Sequence, residues 1–363
     1  MAKTLVYQLS PISWEEQGGL RTMAEHLEVI NYLGADYVWL NPLYPSPRCD
    51  HGYDTSDYRD IDPRFGTMAD FDNFVKIAHS YGIGVVMDLV LNHTSIDHPW
   101  FGQYPEYYCW VGPNSSYHWK SPFNNDNNVW KYDEKRQKSY LHLFDESEAD
   151  LNWFTWNDRI NKELVQEFQR IIKFWGNKHG VDGFHLSAAQ ALNKDLAWLE
   201  IHTPDLIFGD RAKEIIRAVF QGLEDNFIMM SCSDPTYGGL TGFYYSSTPI
   251  DYILNTSVKD VFSEDRDEFK RILKSTVSNQ GFMLEFESRD SVRFPSRGIS
   301  PESALKMLFR SEADGICLYQ GQELGLNGTA EQALPLHEFK HQLSDNDSYL
   351  NLTKNLVDEW KIK

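Results

Sequence analysis

The stretch GVDGFHLSAAQ, Gly180 to Gln190, decides the fold. Val181, Phe184 and Leu186 make a short apolar run behind glycines, and small residues follow. It reads as a buried strand running into a helix. Ser187 falls where the strand ends, and His185, two residues earlier, points to the same face. The preceding residues, Arg159 to Lys178, are strongly helical in pattern, so the unit is helix, then buried strand.

The same unit recurs in both directions. TLVYQLS (4–10) and ADYVWLNP (35–42) read as strands around a helix from Gly19 to Leu33, and GIGVVMDLVLNH (82–93) contains a third strand after a helix over Met68 to Tyr81. Beyond the fourth strand, NFIMMSC (226–232) is the fifth and LTGFYYS (240–246) the expected sixth. GFMLEFES (281–288) and GICLYQG (315–321) are the seventh and eighth. Helices are expected over Val258 to Val277, Ser300 to Glu312 and Asp345 to Trp360. Eight nearly continuous apolar strands with intervening helices specify an α/β fold, a parallel (β/α)8 TIM barrel. The alternative is an open doubly wound sheet, but no G-x-G-x-x-G follows the first strand.

Residues from about Thr94 to Trp156 interrupt the alternation and are rich in Asn, Ser, Tyr and Trp. A structureless loop of that length is unusual inside a compact domain. The expected division is a barrel of residues 1–93 and 157–363 with a subdomain, 94–156, inserted after the third strand.

The chain has 363 residues, 41% of them hydrophobic, enough for a large core. Its net charge of -19 disfavours nucleic acid and anionic membranes, because its field repels phosphate. Cys49, Cys109, Cys232 and Cys317 show no metal-ligand spacing, so neither zinc nor any other metal or cofactor is expected. They suit reduced thiols in a cytoplasmic protein. The N-terminus lacks a signal-peptide pattern, and no apolar run has the length of a membrane span.

Six stretches in order then carry a resemblance: CDHGYDTSDYRDIDPRFGTMADF (49–71), MDLVLNHTSIDHPWF (87–101), YLHLFDESEADLNW (140–153), GVDGFHLS (180–187), SRDSVR (288–293) and YQGQELGL (319–326). Together they resemble the alpha-amylase family of glycoside hydrolases, and within it the branch of oligo-1,6-glucosidases and trehalose-6-phosphate hydrolases. The resemblance implies a retaining mechanism, in which one carboxylate attacks the anomeric carbon and another, roughly 5 Å away, protonates the leaving oxygen. A third carboxylate holds sugar hydroxyls. It also implies an antiparallel β-domain after the barrel, which is expected to be absent here. The first strand–helix loop, PISWEEQGGL (11–20), lacks the spaced aspartates of that branch's calcium run.

Carried over residue by residue, Asp50 matches the acid that holds a terminal glucose, Tyr53 the aromatic that stacks beneath it, and Asp54 a supporting acid. His93 matches a histidine that donates to a sugar hydroxyl, and Asp290 the third carboxylate. Arg293 matches an arginine that can pair with Asp50 and close the pocket. The competing reading makes these loop residues that satisfy one another. The residues of the chemistry itself differ. Where the family pattern runs G-F-R-L-D, this chain has Gly183, Phe184, His185, Leu186 and Ser187, so the arginine becomes His185 and the nucleophile Ser187. Cys232 stands at the acid/base position, and Arg289 replaces a histidine beside the third carboxylate.

A serine hydroxyl is a weak nucleophile without a positioned base, and a cysteine is a poor general acid for a sugar oxygen. The expectation is therefore a hydrolytically inactive relative that keeps a pocket for a small α-glucoside or oligosaccharide, with room for a protein partner. The alternative is an active retaining α-glucosidase or transglycosidase using rearranged carboxylates, with Asp234, Glu285 and Glu287 as candidates.

Overall fold

The computed structural model describes residues 3–112, 128–155, 159–192, 194, 209–223, 227–233, 248–255, 281–288, 291–329 and 334–362. Strands whose two faces both meet protein should be apolar throughout, and the barrel strands are: β1 (Thr4–Leu9), β2 (Tyr37–Leu40) and β3 (Gly84–Val90) carry almost no exposed residue. Between β3 and the fourth barrel strand the chain forms two small antiparallel sheets. One pairs β4 (His93–Ser95) with β8 (Glu148–Asp150). The other orders β5 (Trp110–Val111), β7 (Lys138–Leu141) and β6 (Trp130–Asp133). The barrel then resumes with β9 (Gly183–Ser187), β10 (Ile228–Ser233), β11 (Tyr252–Asn255), β12 (Gly281–Glu285) and β13 (Gly315–Tyr319), and β13 pairs with β1 to close it.

The expected sixth strand, 240–246, lies outside the described residues, as does the helix expected over 258–277. The sixth place in the barrel belongs to β11, paired on one side with β10 and on the other with β12.

Alternation along the strands separates two cores. Val6, Trp39, Val86, Met230, Tyr252, Leu254, Met283 and Cys317 point inward and fill the barrel. Their neighbours, such as Leu5, Val38, Val85, Phe184, Met229, Leu284 and Ile316, point outward under the helices. The surrounding helices include α1 (Leu20–Leu33), α2 (Met68–Ser80), α4 (Lys162–Lys173), α5 (Asp210–Phe220), α6 (Pro301–Phe309) and α8 (Tyr349–Ile362). A short α3 (Pro99–Gln103) and α7 (Leu336–Leu343) complete the described set. Their starts follow local chemistry. Thr67 and Asp70 form a reciprocal cap on α2, and the Asn161 side chain accepts from Leu164 N on α4.

An aspartate stands just before every second barrel strand and holds the strand before it at both backbone groups. Asp36 N donates to Leu5 O, and Leu5 N donates back to Asp36 Oδ2, each at 2.8 Å. Asp182 does the same with Val85, Asp251 with Met229 and Asp314 with Phe282. Each ring satisfies an amide at the N-terminal rim that the staggered ladder leaves over. The sequence carries it as AD36YV, VD182GF, ID251YI and AD314GI. Room for the inward tyrosines comes from glycine: a Cβ at Gly84 would lie 2.6 Å from the Tyr37 ring, and one at Gly281 2.6 Å from the Tyr252 ring. These devices set the stagger that determines which side chains meet at the opposite, C-terminal mouth.

Candidate functional site

At the C-terminal mouth the alternation that fills the barrel turns polar. Register pairs Asp88 of β3 with His185 of β9, and His185 with Met230 of β10. Asp88 is completely buried and gathers four donors. His185 Nδ1 lies 2.6 Å from its Oδ1 and Trp39 Nε1 donates to the same oxygen at 3.0 Å. Tyr53 OH donates to Oδ2 at 2.9 Å and Asn41 Nδ2 at 3.1 Å. The chain of bonds extends to Gln8, whose amide donates to Asn41 Oδ1 at 3.2 Å. Burying a carboxylate is costly unless it is hydrogen-bonded or paired, and this one is both. Asp88, Asn41 and Gln8 were not among the residues expected from sequence. The available signal was a lone acid inside the apolar run VVMDLV.

Tyr53 is half-buried, with its hydroxyl tied to Asp88. Asp54 is fully buried and holds the loop after β2, accepting from Ser46 Oγ at 2.5 Å and from Cys49 N at 2.8 Å. Asp50 is half-exposed on the same loop and close enough to His93 to act on its charge.

His93 is buried against Phe144, with Nε2 3.3 Å from Glu148 Oε1. Burial works against its imidazolium, but Glu148, Asp150 and Asp50 outweigh it and raise its pKa. Beside it, Asp150 Oδ2 lies 2.7 Å from Lys194 Nζ, which also donates to Asn92 O at 3.2 Å. This cluster joins β4, β8 and the segment after β9. Neither Lys194 nor Glu148 was named from sequence.

Ser187 ends β9, paired with Val90 and half-buried. Ala188 follows with φ 52, a left-handed conformation that is rare for alanine, and packs on the small cluster around Trp130 and Leu141. The backbone of Cys232 pairs with Leu254 in β11. Asp290, Arg289 and Asp234 lie outside the described residues.

The Arg293 guanidinium is 1% exposed and pairs with Glu287 at 3.1 Å. It also lies over the Tyr319 ring, 5.2 Å from the centroid. Glu287 is itself buried and accepts from Phe294 N at 2.8 Å, so a short loop closes on a sequestered ion pair. Burial raises the Glu287 pKa, with Arg293 working against it. Glu285 ends β12, buried, in register with the inward Cys317.

Comparison with known proteins follows the same lines. The family description "Alpha amylase, catalytic domain" matches residues 10–227. The alpha-glucosidase of Candida albicans is 30% identical over 93% of this chain and 68% of its own length. The oligo-1,6-glucosidase of Parageobacillus thermoglucosidasius is 40% identical over 53% of this chain, and the match spans only 35% of that protein. The solved trehalose-6-phosphate hydrolase of Bacillus licheniformis superposes with a TM-score of 0.85 at 23% identity, covering 100% of this chain and 84% of that one.

Proposed function

Because the chain belongs to the alpha-amylase family, we propose that it is a hydrolytically inactive member that binds a small α-glucoside at the C-terminal mouth of the barrel. The observation that carries this reading is Ser187 at the end of β9. The position at which the family pattern has its nucleophile holds a half-buried hydroxyl followed by Ala188. Among the described residues no hydrogen bond joins the Ser187 hydroxyl to a base; His185 bonds Asp88 through Nδ1. Meanwhile Tyr53 is held by the buried Asp88, and Asp50 acts on the charge of the buried His93, which suits a retained pocket. Of the acids that a rearranged mechanism could use, Glu287 is sequestered by Arg293.

In this reading residues 94–156 form an inserted unit on the barrel of 1–93 and 157–363, Asp290 and Arg289 complete the pocket, and the ligand is neutral, in keeping with the acidic chain. No helix among the described residues is long and apolar enough to cross a membrane. A cytoplasmic location belongs to the same proposal. The test pairs two assays on the purified protein. No hydrolysis of p-nitrophenyl α-glucoside, maltose, isomaltose or trehalose 6-phosphate is expected, together with calorimetric binding of maltose or glucose at millimolar sugar. Turnover abolished by Asp290→Ala would overturn the inactivity, and a flat titration would overturn the pocket.

A further inference from the structure

We propose that His185, bonded to Asp88, positions Tyr53 through that carboxylate, so that sugar binding follows the protonation of His185. The inference rests on the pocket reading above and names two positioning residues within it.

Asp88 links the pair to the pocket surface. Its Oδ1 meets His185 Nδ1 and Trp39 Nε1, while its Oδ2 holds the Tyr53 hydroxyl and Asn41. Asp88 is fully buried and His185 is 3% exposed, so the carboxylate depends on these donors for its solvation. Trp39, Asn41 and Tyr53 are neutral donors. His185 is the one donor among the four that can carry a positive charge, and it lies closest.

The family pattern has arginine at this position, and arginine stays charged at every physiological pH. Histidine does not. As imidazolium, His185 neutralises Asp88 and the carboxylate holds Tyr53 in one geometry. As neutral imidazole it leaves a buried anion supported by dipoles alone. That anion draws in water or reorders its donors, and Tyr53 is the donor that faces the pocket.

The groups packed on His185 come from several elements. The Trp39 ring of β2 lies 4.2 Å away between centroids, Asp88 comes from β3, and Met230 lies in register on β10. The Tyr53 phenol reaches the same carboxylate from the loop after β2, and Ser187 follows on the face of His185. Further round the barrel the inward acid among the described residues is Glu285 of β12.

The experiment measures maltose affinity from about pH 5 to about pH 9, a range that brackets ordinary histidine titration. It compares the wild type with His185→Arg, which mimics the charged state, and His185→Gln, which mimics the neutral one. Wild-type affinity is expected to fall on the order of tenfold as pH rises, the effect of a one-unit shift in pKa between free and bound protein. His185→Arg should stay tight and His185→Gln weak, each keeping only the residual slope that His93 contributes. A flat wild type, or an arginine variant with the wild-type slope, overturns the proposal.

A second readout needs no sugar. In ligand-free protein labelled at histidine and tyrosine, the His185 resonance is identified by its loss in His185→Gln, and that of Tyr53 by its loss in Tyr53→Phe. The Tyr53 ring signals are expected to move with the His185 midpoint. If His185 does not titrate in this range, or Tyr53 does not follow it, the pair fails even where sugar binds. If the two titrate together and maltose never binds, the pocket reading fails and the pair stands.

Discussion

Asp182 holds Val85 by both of its backbone groups: its own N–H donates to Val85 O at 2.8 Å, and its Oδ2 accepts from Val85 N at 2.7 Å. The bond spans the stagger between β9 and β3, the two strands that bring His185 to Asp88. Asp182→Ala should therefore leave the Val85 amide without its acceptor, and Val85 is fully buried. The expected loss is about 1–3 kcal/mol of stability, read from the midpoint of urea denaturation. Asp182→Asn retains an acceptor oxygen and should recover most of it. Equal losses in the two variants would mean that the carboxylate's charge, through His79 at 2.7 Å, is what matters.

Lys194 and Asp150 make a buried ion pair, with side chains 6% and 0% exposed. Removing one member strands the other in a low-dielectric interior. Lys194→Met should cost about 3–5 kcal/mol, and Lys194→Met with Asp150→Asn should cost much less than the single change. Thermal melts of the single and double variants give the comparison. Additive losses would show that the two charges do not depend on each other.

Glu323 supplies a pH dependence of opposite sense to the usual carboxylate. It is fully buried, and burial raises its pKa to about 7, with the Tyr7 hydroxyl bonded to Oε1 at 2.6 Å working the other way. A raised folded-state pKa means that the folded protein binds this proton more tightly than the unfolded chain does. Its contribution is present below about pH 4.5, the ordinary value, and is lost as pH rises through about 7. Glu323→Gln removes the ionisation. Its stability relative to wild type should improve between those two pH values by at most about 3 kcal/mol. Denaturation midpoints across the range would show a parallel pair of curves if Glu323 did not titrate there.

Much of the barrel was legible because parallel strands buried on both faces are apolar runs, and seven of the eight were found in that way. The sixth was placed on LTGFYYS, which lies outside the described residues. The segment that fills the place, YILN, is shorter. Its marker was Asp251, which repeats the aspartate before β2, β9 and β13. That pattern acquires meaning only once each carboxylate is seen folding back on the neighbouring strand. Tyr53, His93 and His185 were named from motif alone, and the structure brings Tyr53 and His185 together on Asp88. The role of Asp88 was not legible, because an acid in a strand shows nothing of its donors until the barrel closes. The pairing of Arg293 with Glu287 was not legible either, because nothing in the sequence shows two residues six apart meeting across a loop.

By itself the sequence determined the period of alternation, and with it the inward face shared by His185 and Ser187. It also determined that serine stands where the family pattern has its nucleophile. The tertiary structure decided which charges meet. Asp88 and His185 are 97 residues apart in the chain, and His93 and Glu148 reach each other through the pairing of β4 with β8. A short-range pattern can orient a side chain, but the energy of a buried charge depends on what lies within a few ångströms of it. In a barrel those neighbours come from strands that only closure and register place side by side.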